Sequence, residues 1–200
     1  DFNTVSELID LANENEISLA QVVINREQNL TEKSEIEIKE RMEETLEVMR
    51  DAIEEGLTED VTSMSGLTGG DAKLVEAARE RGAAITGDIL SQAIARSLAV
   101  SEVNAAMGKV VAVPTAGSCG ILPGALLTIA DHNDIERKKV IESLFVASGI
   151  GLIIAEQASV SGAAGGCQAE CGSASSMTAG AITYLLGGSN EQVASATAIA

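Results

Sequence analysis

Three cysteines are the residues most suited to chemistry in this chain of 200 residues. Cys167 and Cys171 stand four apart in "GGCQAECGSASS", Gly165 to Ser176, and Cys119 stands in "PTAGSCG". All three lie beside glycines and small hydroxyl residues, outside any apolar stripe. A closed zinc site would want a fourth ligand from Cys, His or a carboxylate. The only histidine, His132, falls in "DHND", which reads as an exposed loop. A C-x3-C pair with one distant cysteine is also not a common zinc-finger spacing. Three thiolates and one open position suit a 4Fe–4S cluster whose free iron acts as a Lewis acid on a substrate oxygen. The other reading is that the cysteines are small apolar packing groups. A pyridoxal-phosphate enzyme would need a Schiff-base lysine in a recognisable setting. Only Lys73, Lys109, Lys138 and Lys139 follow residue 70, and none has one.

The elements that must position these thiols read as helices. "TVSELIDLANEN" opens with Thr4 as N-cap and Glu7 three residues on, a capping box. Thr31, Ser34 and Glu35 open a longer helix with an apolar stripe at Ile38, Met42, Leu46, Met49 and Ile53, ended by Gly56. Further helices are expected over "AKLVEAARERG", over "DILSQAIARSLAVSEVNAAMG", and after Pro123. "DIERKKVIESLFVASGIGLIIAEQAS" predicts a long helix with a buried second half. "SMTAGAITYLLGG" and "SNEQVASATAIA" complete the set. Strand signal is confined to Val110–Val113. The fold class is therefore mainly α, with three glycine-rich loops (residues 63–72, 114–120 and 162–174) at helix N-termini. Backbone N–H groups there favour anions, so these loops are expected to form the cluster site.

Composition divides the chain near residue 60. Residues 1–60 hold 18 of the 30 acidic residues and 5 of the 13 basic ones. They read as an acidic, solvated N-terminal helical segment, and residues 61–200 as a cluster-binding catalytic helical domain, the two forming one continuous domain. The net charge of −17 argues against nucleic-acid binding, which needs Lys and Arg to neutralise phosphates. Aromatics are only 2%, so the core must be built from aliphatic and small residues. The start has neither a basic nor an apolar leader segment, and the most apolar run, Leu144 to Ala155, is short for a bilayer. The expectation is a cytoplasmic protein without a membrane anchor, its cysteines unbridged. The last helix reaches Ala200 with no stop signal and reads as truncated.

"SGLTGGDA", "VPTAGSCGILPG" and "SGAAGGCQAECGSASSMTAG" resemble the α chain of bacterial iron–sulfur-dependent L-serine dehydratase (L-serine ammonia-lyase), from about Thr4 to Ala200. The resemblance implies a 4Fe–4S cluster on Cys119, Cys167 and Cys171. Some single-chain relatives carry the third cysteine near the position of Ser175; this chain has serine there, and Cys171 is the only nearby thiol. The resemblance also implies L-serine as substrate, and a separate β chain as partner in a heterodimer or higher oligomer. The implied reaction dehydrates and deaminates L-serine to pyruvate and ammonia, iron making the hydroxyl a better leaving group. Lys73 is one candidate for the base. Glu170 could orient the substrate ammonium or support the cluster from behind its ligands. Ser65, Thr68, Thr115 and Ser118 could donate to the substrate carboxylate, and each could as well be a helix cap. The alternative function is a non-catalytic helical subunit or scaffold with structural cysteines.

Overall fold

The structure is a computed structural model that describes residues 1–200. It contains nine α-helices and no strand. The fold is mainly α, as the periodicity requires, and the Val110–Val113 run forms no strand.

Helix starts follow local side-chain chemistry. At α1 (Val5–Glu14) the Thr4 hydroxyl accepts from Glu7 N at 3.2 Å, while the Glu7 carboxylate reaches one residue further back than in a capping box, accepting from Asn3 N at 2.7 Å. α2 (Leu19–Thr31) is additional to the expected elements; Ser18 caps it by accepting from Gln21 N at 3.1 Å. Ser34 and Glu37 form a full reciprocal box at the start of α3 (Glu35–Thr58), satisfying two otherwise unpaired N–H groups. Along α3, Ile38, Leu46, Met49 and Ile53 are buried and Met42 is half-buried. Gly56 does not end α3, which runs on to Thr58. It is a point of close approach instead: a Cβ there would lie 2.5 Å from the Ala99 carbonyl oxygen.

The chain packs as two compact units, Asp1–Glu44 with Glu136–Ala200, and Thr45–Ile135. The compositional break near residue 60 marks a change in charge, and the packing groups the residues differently. In the first unit α7 (Arg137–Gln157) packs against α2 and α8 (Gly162–Leu185), and α9 (Asn190–Ile199) packs against α8 and α1. Small residues let these backbones approach. A Cβ on Gly149 would meet Val23 Cγ2 at 2.5 Å, one on Gly151 would meet Met177 Cε at 2.6 Å, and one on Gly180 would meet Ile150 Cδ1 at 2.4 Å. α7 is the one helix long and apolar enough to cross a membrane; 61% of its most apolar window is buried inside the protein.

The second unit holds the later part of α3 with α4 (Asp71–Glu80), α5 (Asp88–Ala105) and α6 (Ile121–His132). α5 is its centre, packing on both α4 and α6 and burying Ala95, Ala99, Val100 and Val103. His132 closes α6 as its last residue rather than lying in a loop, and it is exposed.

Candidate active site

In the second unit, residues 63–70 form a tight turn ahead of α4. Ser63 organises it: its N–H donates to the Thr68 carbonyl at 2.8 Å, and its hydroxyl accepts from Thr68 N at 3.1 Å. The Ser65 hydroxyl lies 3.2 Å from the Ser63 hydroxyl and accepts from Leu67 N at 3.4 Å. Ser65 and Thr68 are both exposed. Gly69 has φ +145°, and a Cβ there would lie 2.3 Å from the Val61 carbonyl oxygen, so no other residue fits. Lys73, in the first turn of α4, places Nζ 2.9 Å from Asp60 Oδ1. That hydrogen bond holds the Asp60 carboxyl below the usual carboxylate range.

The 114–120 loop packs against α5 through its short 3-10 turn. A cis Val113–Pro114 bond leads into Thr115, then a single 3-10 turn at Ala116–Ser118. The Ser118 hydroxyl is buried, donates to the Val113 carbonyl at 2.8 Å and lies 3.2 Å from the Thr115 hydroxyl. Asn104 of α5 donates to the Ala116 carbonyl at 3.0 Å. Gly120 and Gly124 press on Ser97, where any Cβ would come within about 2.2 Å of its oxygens. Cys119 is only 1% exposed, its thiol directed at the Val100 carbonyl 3.9 Å away.

One carboxylate that the motifs did not single out ties the second unit together. Glu102 of α5 is 6% exposed, and its Oε1 accepts from Asp71 N at 2.7 Å and from Ala72 N at 3.2 Å. It thereby caps α4 from a position 31 residues downstream. Gly70 at the N-cap has no side chain to do so. The sequence signal is a glutamate at a stripe position among Ala95, Ala99 and Val103.

The first unit holds the other two thiols, and here the expected loop is overturned. Residues 162–174 are helical, forming the first half of α8 with a break at Gly166 (φ +79°, ψ 175°). Alanine and serine around the glycines tolerate helix, and only Gly166 takes a left-handed φ that interrupts it. Cys167 and Cys171 therefore share one helix face just past the break, Sγ to Sγ 3.7 Å, with Cys167 exposed and Cys171 half-buried. A loop would not have fixed that separation; the i, i+4 relation does. The hydrogen bond with Cys167 holds the Cys171 thiol above the usual range, and burial, charge on Cys167 and the Glu170 carboxylate push the same way. Glu170 folds back over the helix start, where a Cβ on Gly162 would lie 2.6 Å from its Oε2.

The structure thus brings together Cys167 with Cys171, Thr115 with Ser118, and Ser65 with Ser63. No group of three or more His, Cys, Asp or Glu side chains is gathered to hold a metal ion. The donor chemistry still fits a soft metal group, since two adjacent thiols, one open to solvent, are ligands for such a group.

Comparison with known proteins turns on residues 14–200, which match the family model described as serine dehydratase alpha chain. The chain belongs to the serine dehydratase alpha chain family. It is 45% identical over 198 residues to a Bacillus subtilis (strain 168) protein named "Probable L-serine dehydratase, alpha chain", covering 99% of this chain and 66% of the relative. It is 39% identical over 198 residues to the L-serine dehydratase alpha chain of Peptoniphilus asaccharolyticus, covering 98% of this chain and 68% of that one. To L-serine dehydratase TdcG of Escherichia coli (strain K12) it is 36% identical over 207 residues, covering 45% of that protein. The chain therefore spans about two thirds of the alpha chains it matches, and less than half of the longer relative. Both the 63–70 and 114–120 loops and the Cys167–Cys171 helix fall inside the family match.

Proposed function

We propose that this chain is the cluster-bearing part of an L-serine dehydratase, removing water from L-serine and releasing pyruvate and ammonia. The observation that carries this reading is the family match over residues 14–200 with 45% identity to an alpha chain named for that activity. Cys167 and Cys171, with Cys119, are the thiolates that would hold a 4Fe–4S cluster. When bound, such a cluster supplies a Lewis acid for the substrate hydroxyl.

The chain's own residues would do the rest. Ser65 and Thr68 in the exposed turn, and Thr115 in the second loop, remain the candidate donors to a substrate carboxylate in this reading. Ser118 is buried and committed to the Val113 carbonyl, so its role is to shape the loop. Lys73 is the candidate base. Its Nζ is engaged by Asp60, so to act on the α-proton it has to leave that contact. Loss of the α-proton and of the hydroxyl, as water, gives aminoacrylate. It tautomerises to an imine, and a second water releases pyruvate and ammonia. A β chain completes the enzyme in this reading.

The burial of Cys119 favours one competing view, that its thiol packs rather than ligates, as in a non-catalytic subunit. Iron and sulfide analysis after anaerobic reconstitution, paired with pyruvate formation from L-serine with and without a β chain, separates the two. The expected result is bound iron and sulfide, lost in Cys167→Ser, with pyruvate formed by the assembled enzyme. Protein that takes up no iron, and whose activity survives Cys→Ser at all three positions, would end the cluster reading.

A further inference from the structure

The charges of the second unit do not cancel where cancellation is easiest. Arg50 and Glu54 stand one turn apart on α3, a spacing at which opposite charges meet. They do not meet here. Arg50 Nη2 turns to Asp131 Oδ1 at 3.2 Å, and the exposed Glu54 carboxylate pairs with neither Arg50 nor Arg96. Arg96 of α5 reaches the same partner, Nη1 to Asp131 Oδ2 at 2.7 Å. Asp131 stands in the last turn of α6, where the helix dipole disfavours a negative charge, and one guanidinium would offset that. Two are present, in a chain with only 13 basic residues. Asp131 takes one N–H from each, so each guanidinium keeps the rest of its donors. Arg96 keeps them although its side chain is only 17% exposed. These four residues line one open cleft of about 240 Å³, together with the buried side chains of Ile53 and Leu127. Pockets for drug-sized ligands hold roughly 300–1,000 Å³, so the occupant of this one is small. Cys119 precedes the first turn of α6 and Asp131 is in its last, so cleft and cysteine lie at opposite ends of that helix.

We propose that this cleft binds a free α-amino acid with a small aliphatic side chain. The guanidinium donors that Asp131 leaves over take the α-carboxylate, whose two oxygens match the planar fork. Glu54 takes the α-ammonium, and Ile53 and Leu127 receive the side chain. A simple anion would meet two carboxylates in the cleft, and a simple cation would meet two guanidiniums. A zwitterion answers both signs at once. Asp131 is the positioning residue, since its two oxygens hold two like-charged guanidiniums together. This inference rests neither on the cluster nor on serine turnover.

The test uses three ligands with one side chain. L-Valine has both charges, 3-methylbutanoate lacks the ammonium, and 2-methylpropan-1-amine lacks the carboxylate. Each is titrated calorimetrically into the full-length protein. L-Valine is expected to bind wild type at least about tenfold more tightly than either truncated ligand, the size of one charge-assisted hydrogen bond. In Glu54→Gln, affinity for L-valine is expected to fall roughly tenfold, and that for 3-methylbutanoate to stay within about twofold. In Arg96→Gln, affinity for both carboxylate ligands is expected to fall, and that for the amine is not. Wild type that binds no L-valine overturns the proposal, as do three ligands bound equally. L-Valine bound equally by wild type and both variants also overturns it, because the ligand then sits elsewhere. Glu54 is exposed and unpaired, so Glu54→Gln keeps the test open if Arg96→Gln does not fold. Arg96→Lys is then the second arginine variant: it retains the charge, loses the fork, and is expected to weaken L-valine binding.

Discussion

Cys171 shows how a local contact sets the reactivity of one residue. Its thiol is hydrogen-bonded to Cys167, 3.7 Å away, and the neutral form is the one the fold favours. A raised thiol pKa gives stability that is full below the unfolded thiol value and is lost as pH rises through the folded one. Alkylation of Cys171 in the metal-free chain should therefore have its pH midpoint above that of the urea-unfolded chain. Cys167→Ala should bring the midpoint back toward the unfolded value. A folded midpoint at or below the unfolded one contradicts this. In the proposed cluster reading, ligation has to displace that proton, so cluster uptake is expected to be faster at mildly alkaline pH than at pH 6. At this scale the sequence revealed the types and spacing of Cys119, Cys167 and Cys171. It could not reveal that Cys119 is directed at the Val100 carbonyl, because that depends on how the 114–120 loop meets α5. Glu102 was equally hidden: nothing in "AVSEVNAA" names a partner 31 residues away.

Helices in this chain are set by caps and by where glycine permits contact. Ser18, Ser34 and Ser189 each cap a helix through the residue three positions on, and all three pairs stand in the sequence. Glycines are harder to read, because three different roles share one letter. Gly56 lies inside α3 against the Ala99 backbone, Gly166 breaks α8 through its φ, and Gly172 is helical with nothing within 4 Å of a Cβ. Gly56→Ala should destabilise by about 1–2 kcal/mol, because overpacking against an immovable carbonyl outweighs the gain in helix propensity. Gly172→Ala should stabilise by about 0.5–1 kcal/mol, since the propensity gain there meets no clash. Urea denaturation of both variants decides it: two shifts of the same sign would show that these glycines are not distinguished by packing. The 162–174 stretch was expected as a loop for the same reason. Its glycines suggest irregular backbone, yet only Gly166 needs one.

Across the whole molecule, charge is the property with a measurable consequence. The chain carries 30 acidic and 13 basic residues, and its net charge is −17. Like charges at this density repel one another in the folded state, and the repulsion is screened over about 10 Å at 0.1 M salt. Opposing it are exposed surface ion pairs such as Lys73–Asp60 and Arg50–Asp131, which are weak and screened as well. The melting temperature should therefore rise between 20 mM and 500 mM sodium chloride; a fall would mean that the ion pairs outweigh the net repulsion. By itself the sequence determined the helical class, most helix starts, the aliphatic small-residue core and the motifs that place the chain in its family. Periodicity, caps and composition act within a turn or two of helix, so they can be read from neighbouring residues. Only the tertiary structure decided which glycines are contacts, that Cys167 and Cys171 meet on a helix face, and that α5 holds the start of α4 and the 114–120 loop through Glu102 and Asn104. The glycine and α5 contacts join residues far apart in the chain, which no local pattern encodes, and the Cys167–Cys171 pair depends on which of its neighbouring glycines breaks the helix.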